Sequence, residues 1–145
     1  FYRDNPEELK DKWIQEFKNK ENPIHLELGC GKGNFISQLA VQNPSINYIA
    51  IDLVDAMLGL AKRKVEETYL EANKEIDNVL LTRFDIERIM LILGKQDNIK
   101  RIYIINCLNI SNNTFYKIII KLMLHYKFCC IIFFYVFNNF IPFYR

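Results

Sequence analysis

The 145 residues carry a formal charge of +2, with half of them apolar and a quarter charged; this is one domain's worth of chain with enough apolar surface for a core, which excludes a disordered or low-complexity protein. The small net charge conceals an asymmetry. Residues 1–97 hold all 17 acids and 13 of the 19 Lys/Arg, a balance of −4, whereas residues 98–145 hold six Lys/Arg and no acid. The four cysteines (Cys30, Cys107, Cys129, Cys130) show neither CxxC nor Cys/His spacing, so no zinc or other metal site is expected, and free thiols point to a reducing, cytoplasmic compartment.

Asn5-Pro6-Glu7-Glu8 reads as a helix start, with an N-cap, a proline in the first turn and acids facing the positive end of the dipole. Leu9, Trp13, Ile14 and Phe17 then fall on one face, which predicts an amphipathic helix to about residue 20. Asn22-Pro23 breaks the chain, and a buried strand is expected over 24–28. A glycine turn follows, then a helix over 34–42 that ends at Asn43-Pro44. A second strand is expected over 46–53. The clearest helix covers 54–72, where Met57, Leu58, Ala61, Val65, Thr68 and Tyr69 make one stripe. A third strand over 79–81 runs toward Asp85, a short helix covers 86–93, and a fourth strand covers 101–105. This alternation predicts a Rossmann-like α/β fold, a parallel sheet wound with helices on both faces. In such sheets ligands bind beyond the carboxyl ends of the strands, and Glu27, Asp52 and Asp85 all fall at predicted strand ends.

The stretch HLELGCGKGNF, residues 25–35, carries the chemistry. A glycine turn after a strand usually cradles phosphate. Here Gly29, Gly31 and Gly33 are spaced G-x-G-x-G, and Asn34 stands where the third glycine of a dinucleotide fingerprint belongs. Glu27 would repel a pyrophosphate at a cost of roughly several kcal/mol if unscreened. S-adenosylmethionine reverses that sign, because it brings an ammonium and a sulfonium, and the glycines let the backbone approach it closely. Asp52, about 20 residues on, is placed to accept the ribose hydroxyls, and Asp85 is placed to meet the adenine. The candidate cofactor-binding residues are therefore Glu27, Gly29, Gly31, Gly33, Asp52 and Asp85; no catalytic residue is assigned. Lys62, Arg63 and Lys64 form a basic run for which a solvated helix face is the commoner explanation and a phosphate contact the alternative.

The run HLELGCGKGNFISQLAVQNPSINYIAIDL, with AKRKVEE, NVLL and KRIYI after it, resembles the bacterial tRNA (guanine-N7)-methyltransferases over roughly residues 6–105. The resemblance implies a class I methyltransferase fold, S-adenosylmethionine as cofactor and tRNA as partner. The implied reaction is methyl transfer to N7 of a variable-loop guanine, guanine-46. It also implies the same three cofactor acids. A guanine N7 attacks with a free lone pair and loses no proton, so such a reaction depends on orientation more than on a general base.

The resemblance stops after residue 105. The family's Pro-Trp-Pro-Lys stretch is replaced by IINCLNISNNTFYKIII, in which Asn106 and Asn109 are faint echoes. Residues 1–105 are thus expected to form a cofactor-binding domain and 106–145 an off-pattern hydrophobic tail. Ile, Phe, Asn, Tyr and Lys supply 31 of the 44 positions over 102–145, the residues that A/T-rich codons encode without selection, and a frameshift near Ile105 accounts for this. A membrane anchor is disfavoured: the 17 uncharged residues over 128–144 are interrupted by Asn138-Asn139 and Pro142. A native helix and strand ranks lowest there, for want of turn residues. The competing readings are a defective or inactive cofactor-binding fragment, a methyltransferase for another substrate, and, least favoured, a dinucleotide oxidoreductase.

Overall fold

The computed structural model describes residues 1–105, 112–126, 130–134 and 140–143. Its strands are β1 (Tyr2–Arg3), β2 (Ile24–Leu28), β3 (Asn47–Asp52), β4 (Val79–Arg83), β5 (Ile99–Ile105), β6 (Cys130–Phe134) and β7 (Phe140–Phe143); its α-helices are α1 (Asn34–Gln42), α2 (Asp55–Glu71) and α3 (Asn112–His125). The strands form one sheet in the order β1-β4-β3-β2-β5-β6-β7. Every pairing is parallel except that of β6 with β7. This is the expected wound α/β sheet, and β2 and α1 have the bounds anticipated from the sequence.

Alternation along the strands divides the core into two layers. Leu26 and Leu28 of β2, with Ile49 and Ile51 of β3 and Ile102 and Ile104 of β5, pack on one face against Trp13, Ile89 and the α3 residues Ile118, Ile119 and Leu122. Tyr48 and Ala50 of β3, Leu81 of β4 and Tyr103 of β5 pack on the other face against Ile36 and Ala40 of α1 and Leu58, Ala61, Val65 and Tyr69 of α2. Glu27, which alternates with Leu26 and Leu28, belongs to the α1/α2 face.

Buried polar side chains tie the loops to this sheet. Asn78 donates its amide to the carbonyls of Ala40, Asn43 and Ile46, at 3.0, 3.2 and 3.0 Å, and accepts from the Tyr69 hydroxyl. It thereby sets the turn from α1 into β3 beside the start of β4.

Two expected helices are shorter and tighter than the sequence implied. In place of one amphipathic helix to residue 20 there are two 3-10 turns, Pro6–Leu9 and Trp13–Glu16. Asp11 between them sits at φ +64°. The Asp97 carboxylate accepts from the backbone N–H groups of Asp11 (2.9 Å), Trp13 (3.2 Å) and Gly94 (2.7 Å), and the Trp13 indole donates to the Ile92 carbonyl at 2.7 Å. Hydrogen bonds reaching across more than 75 residues of chain outcompete the local i→i−4 pattern. Asn5 makes no side-chain cap bond. The second short helix is a 3-10 turn, Ile86–Leu91, capped by Asp85.

The tail departs from its expected rank. The described residues beyond 105 form α3, whose Ile118, Ile119, Leu122 and Tyr126 are buried in the core, β6, which extends the sheet parallel to β5, and β7, antiparallel to β6. Apolar periodicity was sufficient there without glycine or proline punctuation. Asn106, Asn109, Cys107 and Cys129 lie outside the described residues. Among the described residues no helix is long and apolar enough to cross a membrane.

Candidate functional site

Because β2, β3 and β4 run parallel, their carboxyl ends lie at one end of the sheet, and the three acids come with them. Glu27 is the penultimate residue of β2, Asp52 ends β3, and Asp85 follows β4 by two residues.

The glycine turn is folded over this end. Gly29, Gly31 and Gly33 all adopt positive φ, at +76°, +53° and +78°. The N–H groups of Gly29 and Cys30 donate to the Ile51 carbonyl at 2.8 and 3.0 Å, which pins the turn onto β3. Gly33 also meets a packing limit: a Cβ there would lie 2.7 Å from the Cα of Ala61. The first turn of α1 can therefore approach α2 only because residue 33 has no side chain and residue 61 has a small one. A Cβ at Gly31 would meet nothing within 4 Å, so the space over the middle of the turn is open.

Asp52 accepts from the Gly31 N–H through Oδ2 at 2.8 Å and from the Val54 N–H through Oδ1 at 3.0 Å. The acid expected to face a ribose also organises the turn, and each oxygen keeps a lone pair for a further donor. Asp85 accepts from the Glu87 N–H at 2.9 Å as the cap of its 3-10 turn. Both are only partly buried.

Glu27 is different. It is 1% exposed, and its Oε2 has no hydrogen-bond partner among the described residues. It faces Ala50 across β3 and Tyr103 across β5. Burial first, and the charge of Asp52 second, push its carboxyl up to about 8. Cys30, also buried in the turn, has its thiol pushed up by burial and then by the charges of Glu27 and Asp52, so it is no activated nucleophile. On the same face, two residues back along β2, His25 lies edge-on to Tyr48 with ring centroids 5.6 Å apart. Burial, and then Arg101, lower it to about 4, which makes it a neutral core histidine.

Two contributors to this end of the sheet escaped the sequence reading. Ala61 was legible as part of a buried stripe, but its closeness to Gly33 is tertiary. Tyr103, opposite Glu27, lies in a strand that was predicted, yet only the register shows which side chains it brings together. Lys62 and Arg63 are exposed on α2. Among the described residues no group of three or more His, Cys, Asp or Glu is arranged to hold a metal.

The chemistry of this donor set suits a cationic ligand with vicinal hydroxyls. A buried carboxyl has an oxygen to spare, a second carboxylate holds the turn, and open space lies over a side-chain-free backbone. Residues 21–106 match the family described as "Putative methyltransferase". The chain is 53% identical over 107 residues to the tRNA (guanine-N(7)-)-methyltransferase of Clostridium perfringens (strain 13 / Type A), covering 74% of this chain and 49% of that protein. It thus spans about half the length of the curated relatives it matches. Among solved structures, precorrin-6y C5,15-methyltransferase from Geobacter metallireducens GS-15 superposes with a TM-score of 0.59 at 14% identity, over 83% of this chain and 57% of that one. PKMT2 from Rickettsia typhi in complex with AdoHcy superposes with a TM-score of 0.57 at 22% identity, over 88% of this chain and 24% of that one. At those identities the likeness is one of fold.

Proposed function

The chain belongs to this S-adenosylmethionine-dependent methyltransferase family, and from that premise we propose that it is the cofactor-binding part of a cytoplasmic tRNA (guanine-N7)-methyltransferase. One observation carries the reading at the level of chemistry: a turn of three left-handed glycines directly follows the strand that carries a buried carboxyl with an oxygen unpartnered among the described residues. That combination favours an ammonium, whose arrival lets the carboxyl ionise, whereas a pyrophosphate would hold it neutral and find no counter-charge there.

In this reading Glu27 supplies the counter-charge for the ammonium of the cofactor's methionyl group. Gly29, Gly31 and Gly33 keep side chains out of the space the ligand occupies. Asp52 accepts ribose hydroxyls with the lone pairs that its two backbone donors leave free, and Asp85 meets the adenine end. S-adenosylmethionine, once bound, would supply a methyl group activated by its sulfonium. The acceptor nitrogen needs no base, so what the chain contributes is position. Residues 106–145 remain, in this proposal, an off-pattern segment, because the family match ends at 106.

Calorimetric titration with S-adenosylmethionine and, separately, with NAD tests the cofactor: binding of the first and not the second is expected, and the reverse would overturn the reading. At one hundred times its Kd the cofactor should stabilise the fold by about 2.7 kcal/mol, readable as a thermal shift. Incubation with unmodified tRNA and labelled cofactor tests the reaction. A second reading, a cofactor-binding piece that transfers nothing, is favoured by the coverage of about half of the relatives' length. Binding without N7-methylguanine would select it.

A further inference from the structure

Glu27 occupies an unusual position for a counter-charge. It is almost wholly buried, and among the described residues one of its oxygens has no partner and no ion pair reaches it. We propose that Glu27 holds a proton before the cofactor binds and surrenders it as the cofactor's ammonium arrives, so that each binding event releases one proton to solvent. This deepens, and rests on, the cofactor reading above.

The surroundings define the electrostatics. From its own strand, His25 is two residues back on the same face and is neutral. From β3 come Ala50 in register and Asp52 at the strand end, from β5 come Tyr103 in register and Arg101 beside His25, and the turn contributes Cys30. Arg101 directs a guanidinium nitrogen to the Tyr103 hydroxyl at 3.4 Å. On α1, Phe35 packs its ring against Tyr103 with centroids 5.3 Å apart. Asp52 is the one charge that acts appreciably on Glu27, and it has the same sign. A second negative charge beside it, out of water, is disfavoured, so burial first and the Asp52 charge second raise the carboxyl to about 8. An ammonium entering the open space removes both objections at once.

The balance is simple. The carboxyl O–H of Glu27 breaks, its electron pair stays on the oxygen, the proton passes to buffer, and the carboxylate pairs with the ammonium; nothing is oxidised or reduced.

The test is titration of the full chain with S-adenosylmethionine at pH 6.0 and 6.5, in buffers of differing ionisation enthalpy. The ligand's own amine is then largely protonated and adds little. The apparent enthalpy should vary with buffer at a slope of about one proton released; Glu27→Gln, which removes the counter-charge, should bind more weakly, and at raised ligand concentration its slope should be about zero. An infrared difference spectrum gives a second readout: a protonated-carboxyl band absent from Glu27→Gln and lost from the wild type on binding. Binding with a slope of zero overturns the proton release while leaving the cofactor reading intact. Absence of binding by the wild-type chain overturns both.

Discussion

A buried carboxyl and a buried imidazole two residues apart pull the pH dependence of stability in opposite directions. Glu27 is raised from the usual carboxyl range to about 8, so between about pH 4.5 and 8 the folded chain binds more protons than the unfolded one, and its contribution to stability falls as pH rises. His25 is lowered to about 4, so between about pH 6.5 and 4 the unfolded chain binds more protons, and stability falls as pH drops. Urea denaturation of the cofactor-free protein should show a decline of about 2 kcal/mol from pH 6.5 to 8 that Glu27→Gln abolishes. A wild-type profile rising over that interval would contradict the burial of Glu27. The glycines give a second pair of expectations. Gly31→Ala meets open space and should cost only the backbone strain of φ +53°, about 1–2 kcal/mol. Gly33→Ala adds the collision with Ala61 and should cost at least about 1 kcal/mol more than Gly31→Ala. Equal losses in thermal melts would show that α1 does not approach α2 as described.

Among elements, the joints are more informative than the strands. Asn78 serves three carbonyls from the α1–β3 connection and the Tyr69 hydroxyl of α2. Asn78→Ala leaves these buried groups unsatisfied and should destabilise by about 2–3 kcal/mol, whereas Asn19→Ala, at an exposed site, should stay within about 0.5 kcal/mol. Asp97 plays the same part for the N-terminal segment, where it converts a sequence with good helical periodicity into two 3-10 turns. The helix signals around Pro6 were genuine, but they competed with the Asp97 carboxylate, which accepts the Asp11 and Trp13 N–H groups from more than 80 residues away along the chain.

For the whole molecule, the issue is whether the acid-free C-terminal stretch is part of the domain. Leu122 of α3 is fully buried against the sheet. Leu122→Ala should cost about 2–4 kcal/mol in denaturant unfolding, and a change below about 0.5 kcal/mol would mean that α3 does not pack as described. The parallel sheet itself was legible because each strand between 24 and 105 is a short apolar run closed by a turn signal. The tail lacked such punctuation, and a composition rich in Ile and Phe satisfies both helical and strand periodicity, so its placement could not be read from pattern.

The sequence by itself determined the alternation of strand and helix, the family to which the chain belongs, and the alignment of Glu27, Asp52 and Asp85 at one end of a parallel sheet, because these follow from apolar period, glycine spacing and the position of each acid relative to a strand end. Only the tertiary structure decided what each acid experiences: Asp52 bound to the turn, Asp85 capping a 3-10 turn through one oxygen, and Glu27 buried with one oxygen unpartnered among the described residues. Burial and charge proximity are sums over residues distant in sequence, and local pattern carries no record of them.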